Sequence, residues 1–319
     1  MKSKLKIVLI GEGSPPETAG RSILSQEAVD LVGVFTNLER KDGFSALIQK
    51  HGLPAYSMKD LKKAEGIEKL RVLQPDWLVS ANSTVILKPE VLEIPAQGAI
   101  NVHPGLLPEF AGLHTHQWAI REGLTEFGVT IHFMTASVDA GDIIVVKRYP
   151  IDSEDTGLKV FSKALKSMSE AVAEVMDLIA TGQQLPRIKQ DASQRRLFRH
   201  KDALDGRIDW NWSAEQVRNF VRAGNYLPFS SPSYTAYLAG TGEDEEPVII
   251  HKVEMMDDTT QAAPGSILDV DPAGLQVACG DGRVVCLTKA KRAGKMVDEK
   301  MWHEYANSLS DRKLFGRDD

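Results

Sequence analysis

Through its first half the chain alternates short apolar runs with amphipathic helical stretches, and no other feature narrows the fold as much. Residues 5–10, 31–35, 77–80 and 99–103 are strand candidates. Strands separated by helices in this way assemble into parallel sheets through βαβ crossovers. A further pair, 128–133 and 143–149, flanks the loop Ser137-Val138-Asp139-Ala140-Gly141-Asp142. Its Gly and Asp residues favour a tight excursion that can present side chains.

From Thr156, a suitable N-cap, the apolar residues Leu158, Phe161, Leu165, Met168, Val172, Met176 and Ile179 recur every three or four positions, and Gly182 then suits a C-terminal cap. The spacing predicts one long helix with a single buried face. Polar and charged residues follow, and a linker is expected over 191–206. Beyond it Ser213 caps a helix reaching Ala223, with Val217, Phe220 and Val221 inward, and the remainder reads as short strands and turns, among them Gly280-Asp281-Gly282. A length of 319 residues leaves room for two domains. The expected fold is an α/β, Rossmann-like, mostly parallel sheet with helices on both faces over 1–190, followed by a smaller, OB-like C-terminal β-barrel over 207–319.

Composition removes several classes of function. With 42% hydrophobic and 26% charged residues and no apolar run of eighteen, neither a membrane span nor wholesale disorder is expected. The apolar run 5–10 is too short for a signal-peptide core and leads into the turn Gly11-Glu12-Gly13, so a cytoplasmic location is expected. Cys279 and Cys286 are too few for a disulfide framework and have no metal-ligand spacing; they read as small strand residues. Residues 201–319 hold 14 Lys and Arg against 20 Asp and Glu, so the chain's net charge of −6 resides there. A nucleic-acid-binding face needs concentrated Lys and Arg, and this half lacks it.

The segment that points to chemistry is Asn101-Val102-His103-Pro104-Gly105-Leu106-Leu107-Pro108. Side chains alternate along a strand, so Asn101 and His103 project on one face at a strand end, where ligands bind in open α/β sheets. An Asn amide can donate to a developing oxyanion, and a His can donate to it or move a proton. Asp139, 36 residues beyond His103, could return to that face and orient the imidazole or relay a proton through water. The plain alternative makes Asn101 a turn cap, His103 a satisfied strand-end residue and Asp139 an ordinary turn residue.

Residues 98–149 resemble the folate-dependent formyltransferases, which share an Asn-x-His-Pro-(Gly/Ser)-Leu-Leu-Pro stretch and a later (Leu/Val)-Asp-(Ala/Thr/Gly)-Gly loop, here Val138-Asp139-Ala140-Gly141. The family includes methionyl-tRNA formyltransferase, glycinamide ribonucleotide transformylase and nucleotide-sugar N-formyltransferases. Gly112-Leu113-His114-Thr115-His116, Gly128-Val129-Thr130-Ile131-His132, Gly206-Arg207-Ile208-Asp209-Trp210 and Pro264-Gly265-Ser266-Ile267-Leu268 are similar to further stretches of the family, the last two to its two-domain members. The resemblance implies Asn101, His103 and Asp139 as a catalytic trio. It also implies Thr84, Val85, Ile86 and Leu87, with Val138 and Asp139 opposite, as the edges of a pterin pocket for 10-formyltetrahydrofolate, the formyl donor.

The loop Gly11, Glu12, Gly13, Ser14 could offer backbone amides to an anionic group of the acceptor, although Glu12 opposes a phosphate and a structural turn is the stronger reading. His114 and His116 have no third ligand at useful spacing, so packing or acceptor contact is expected there and no metal. A small-molecule amine, either an amino sugar on a nucleotide or an amino-acid-derived amine, is the favoured acceptor. The chain lacks the basic insertion of the transfer-RNA enzymes after the second strand, and residues 222–229 depart from their Trp-Pro-Gly turn. Formylation of initiator transfer RNA, hydrolysis of 10-formyltetrahydrofolate, and an idle folate-binding protein are the alternatives; the resemblance leaves the oligomeric state open.

Overall fold

The computed structural model describes residues 4–199, 205–238, 246–309 and 312–314. The chain forms two compact units: Met1–Thr115, Glu126–Pro150 and Phe161–Phe198 make the first, and His116–Thr125, Ile151–Val160 and Arg199–Asp319 the second. No helix among the described residues is long and apolar enough to cross a membrane.

In chain order the elements up to residue 198 are β1 (Leu5–Ile10), α1 (Ser14–Leu24), β2 (Val29–Thr36), α2 (Gly43–His51), β3 (Ala55–Ser57), α3 (Ala64–Val72), β4 (Trp77–Ala81), α4 (Pro89–Leu92), β5 (Gly98–His103), β6 (Ala111–Gly112), α5 (Thr115–Arg121), β7 (Glu126–Phe133), β8 (Ile143–Pro150), α6 (Gly157–Ala180) and β9 (Leu197–Phe198). The sheet runs β3-β2-β1-β4-β5-β7-β8, with the first five strands parallel and β7 and β8 antiparallel to their neighbours. Every strand expected from alternation is present; β3, at three residues, is too short to show a period.

Thr156 caps α6, its hydroxyl accepting from the Lys159 amide at 3.4 Å. The buried stripe of this helix runs through Val160, Ala164, Met168, Ala171, Val172, Val175, Met176 and Ile179. Leu158, Phe161 and Leu165, expected inside, are only half-buried, because small residues carry the stripe over the first turns.

The second unit holds α7 (Ala214–Gly224), β10 (Tyr237–Leu238), β11 (Val248–Thr259), β12 (Ile267–Asp271), β13 (Gly274–Ala278), β14 (Arg283–Arg292), β15 (Lys295–Met296) and α8 (Glu299–Ser308). Its strands form an antiparallel half-barrel sheet ordered β10-β11-β14-β13-β12, with β15 on β14. Ser213 caps α7 through a capping box with Gln216, as its sequence signals. The expectation of strands and turns alone beyond α7 is corrected by α8, where the Asp298 side chain caps the Met301 amide and Trp302, Tyr305 and Ala306 are buried. Trp210 lies in this unit's core with Phe220, Leu287 and Trp302. Cys279 and Cys286 are free and buried, and burial pushes their thiols up to about 12 and about 11, so both are neutral near pH 7.

Candidate active site

Strand β5 ends at Pro104, which has no N–H to extend the ladder, and Asn101 and His103 stand two residues apart at that end. Register supplies a neighbour that spacing alone does not: in the β5/β7 pair Asn101 lies opposite His132, and His103 opposite Thr130. The Asn101 amide nitrogen is 3.2 Å from His132 Nε2 and 3.3 Å from Asp139 Oδ1. Both bonds sit at the long end of the normal range, so an arriving oxyanion can compete for either proton.

Each ring nitrogen has a distinct task. A carbonyl only accepts, so His103 Nε2 donates to the Phe110 carbonyl at 2.6 Å, leaving Nδ1 facing Asp139 Oδ2 at 3.6 Å. By the same logic His132 Nδ1 donates to the Phe133 carbonyl at 2.8 Å. His132 Nε2 then accepts from Asn101 in the neutral ring and, once protonated, donates to Asp139 Oδ1 at 3.4 Å. Gly105 belongs to this arrangement, because a Cβ there would stand 2.5 Å from His103 Nε2 and 2.6 Å from the Phe110 oxygen.

Asp139 arrives on the loop between β7 and β8 in the left-handed region, φ 51°. The loop closes tightly, with the Phe133 amide donating to the Asp142 carbonyl at 2.9 Å, and Gly141 lies so close to the Phe133 oxygen that a Cβ would approach it to 1.9 Å. The Asp139 carboxylate also accepts from the Gly112 amide at 2.8 Å. Burial alone would raise its pKa, but the facing His103, the contact with His132 and the Gly112 N–H outweigh burial and hold the carboxyl well below the usual carboxylate range. Asp139 is therefore ionised at neutral pH. A carboxylate so firmly ionised is a poor proton acceptor, and His103 Nδ1 is the ring nitrogen not spent on Phe110.

The apolar edge differs from the expectation in its side chains. Val85 and Leu87 belong to the core beside β4, whereas Ile86 is 73% exposed, and Thr84 is exposed too. Of the apolar residues expected on this edge, Val85, Ile86 and Leu87, Ile86 alone is exposed. Val138, next to Asp139, is 42% exposed.

The weaker acceptor candidates fare differently. Gly11 and Glu12 donate their amides to the Phe35 and Asn82 carbonyls, and α1 opens with Ser14, Pro15 and Pro16. Two of its first three residues therefore have no N–H, so this helix start is no anion cradle and the Gly11, Gly13, Ser14 stretch is a turn. His116 is buried in the second unit, where its Nε2 bonds the Tyr226 hydroxyl, so it packs rather than facing a substrate. His114 sits on a left-handed backbone, φ 54°. Among the described residues no three His, Cys, Asp or Glu side chains group as metal ligands.

Fold and site together define an α/β sheet protein in which an Asn, two His and an ionised Asp meet at the end of a sheet strand. A family model described as formyl transferase matches residues 6–176, and one described as formyl transferase, C-terminal domain, matches 201–307. The chain belongs to the formyl transferase family and is an enzyme of that family. Among solved structures it is similar to an N-formyltransferase from Helicobacter canadensis in complex with folinic acid and dTDP-3-aminofucose, with TM-score 0.66 and 17% identity over 89% of this chain and 99% of that one. It is also similar to WlaRD, a sugar 3N-formyltransferase solved with dTDP and 5-N-formyl-THF, with TM-score 0.68 and 16% identity over 91% and 98%. A 4-N formyltransferase from Francisella tularensis matches with TM-score 0.63 and 22% identity over 77% and 96%.

Proposed function

We propose that the enzyme moves a formyl group from 10-formyltetrahydrofolate to the primary amine of a small acceptor, an amino sugar carried on a nucleotide. The observation that carries this reading is the ionised Asp139 drawing the Asn101 amide and two imidazoles together at the end of β5. Exposed Ile86 and Val138 suit the faces of a pterin. Such a donor supplies a formyl carbon open to attack by an amine, with negative charge growing on the formyl oxygen. Asn101 donates to that oxygen. His103 Nδ1 takes the proton released by the attacking amine, Asp139 stays ionised and balances the imidazolium, and collapse of the tetrahedral adduct breaks the bond from the formyl carbon to N10 as the imidazolium returns its proton to N10, releasing tetrahydrofolate. His132 holds the Asn101 amide in register.

One observation supports a small acceptor over transfer RNA: residues 201–319 carry an excess of six acidic groups, which repel a long phosphate backbone. The assay is release of tetrahydrofolate from 10-formyltetrahydrofolate, without acceptor and then with nucleotide-linked amino sugars, hydroxylated diamino acids or charged initiator transfer RNA. Release that requires an amino sugar is the expected result. Equal release in every mixture would mean a hydrolase instead, and release only with transfer RNA would reverse the choice of acceptor.

A backbone change tests the same site. Gly112 has φ 95°, and a Cβ on it would stand 2.1 Å from the Phe198 oxygen. Gly112→Ala is expected to displace β6 and its N–H from Asp139 and to lower kcat by about 10-fold to 100-fold. A crystal structure of the variant and its steady-state rate check both halves.

A further inference from the structure

Residues 187–198 take no part in the chemistry above, yet they are tied to both loops that frame it. Ile188 and Ile143 exchange backbone bonds at 2.8 and 3.0 Å. The Gln190 amide donates to the carbonyls of Asp139 at 3.1 Å and Gly141 at 2.7 Å, and Arg195 Nη2 donates to the Val138 carbonyl at 2.6 Å. Arg187 stacks on Phe133 with its guanidinium carbon 3.6 Å from the ring centroid and pairs with Asp142 at 3.6 Å. On the other side, the Ala111 amide donates to the Arg196 carbonyl, and β9 pairs with β6, whose Gly112 N–H is aimed at the Asp139 carboxylate.

We infer that Gln190 and Arg195 are positioning residues for the formyl-transfer site, holding the Val138-Asp139-Ala140-Gly141 backbone so that the Asp139 carboxylate stays aimed at His103 and His132. The inference rests on the reading of Asp139 as part of the reaction machinery. A non-glycine residue in the left-handed region persists only where its surroundings over-determine it, and here side-chain donors take the carbonyls of 138, 139 and 141. The loop's own backbone closure uses a different carbonyl, that of Asp142, which accepts from the Phe133 amide. Without Gln190 and Arg195 the loop can relax toward ordinary φ, carrying the carboxylate away from the two imidazoles.

Gln190→Met keeps the side chain's length and removes both donors, and Arg195→Met does the same for the third. Arg195→Lys keeps a donor and serves as the rescue. Expected for each Met variant is a kcat roughly 10-fold lower, with KM for the formyl donor within about twofold of wild type; Arg195→Lys recovers most of the loss. The acid limb of kcat moves to higher pH, because a carboxylate that loses its facing imidazoles titrates nearer its ordinary value. The His103 and His132 imidazole NMR signals report the carboxylate's position without turnover: in each Met variant their chemical shifts are expected to move, because the carboxylate no longer faces the two rings. Unchanged imidazole signals in both Met variants overturn the inference, whatever the activity. Wild-type transfer matched by Gln190→Met overturns it while leaving the function standing, whereas a wild-type enzyme that transfers nothing overturns the function and leaves the imidazole signals to decide the positioning.

Discussion

Asp139→Asn is expected to lower formyl transfer about a thousandfold while leaving a folded protein. The substitution keeps the side chain's size and one oxygen for the Gly112 N–H, but it removes the negative charge that faces His103 Nδ1 at 3.6 Å and His132 Nε2 at 3.4 Å. Loss of the charged partner of a proton-carrying imidazole costs about 10²- to 10⁴-fold in comparable arrangements. Rates with a saturating acceptor, compared at pH 7, measure the effect; a variant within threefold of wild type would remove Asp139 from the mechanism. The same group predicts an acid limb in stability. The folded carboxyl lies below its unfolded value of about 4, so its contribution is complete above that pH and is lost as pH falls toward the folded value. Wild type and Asp139→Asn should therefore differ in Tm at pH 7 and converge as the pH drops below about 4. A gap that widens in acid would contradict the sign of the shift.

How much of this could be read without coordinates depends on the range of each signal. The parallel core was legible because β1, β2, β4 and β5 are apolar runs with helices between them, a local and periodic pattern. Asn101, His103 and Asp139 were legible as motif residues, and the structure places all three within hydrogen-bond or ion-pair reach of one another or of His132. His132 was visible only as a strand residue, since its place beside Asn101 follows from the β5/β7 register, which no single-strand pattern encodes. Gln190 and Arg195 sit in a polar stretch with no period. A side chain that clamps a distant carbonyl looks the same in sequence as one that is solvated, and the three oxygens they reach lie about fifty residues away along the chain. Pro15 and Pro16 show the opposite case: their missing donors were written in the sequence, and only the exact start of α1 was needed to see that they fall where an anion would bind.

His103→Ala is expected to lower formyl transfer by two or more orders of magnitude with binding of the folate largely retained, because in the proposed reaction the imidazole acts on the reacting amine and not on the pterin. The truncation also has a structural cost. His103 is buried, and its loss leaves the Phe110 carbonyl without the 2.6 Å donor, worth about 1–3 kcal/mol in a buried setting. Two further measurements separate chemistry from folding. His103→Gln retains a side-chain N–H that can reach the Phe110 carbonyl, so it should recover stability without recovering rate, since an amide cannot take a proton at neutral pH. Added imidazole should restore part of the rate to His103→Ala, whose cavity opens beside Asp139, and none to Asp139→Asn, where the ring is present and the charge is missing. Full activity in His103→Gln would assign the proton transfer to another group, and with Asp139 held ionised the only remaining ring in the cluster is His132, whose Nδ1 is already committed to the Phe133 carbonyl.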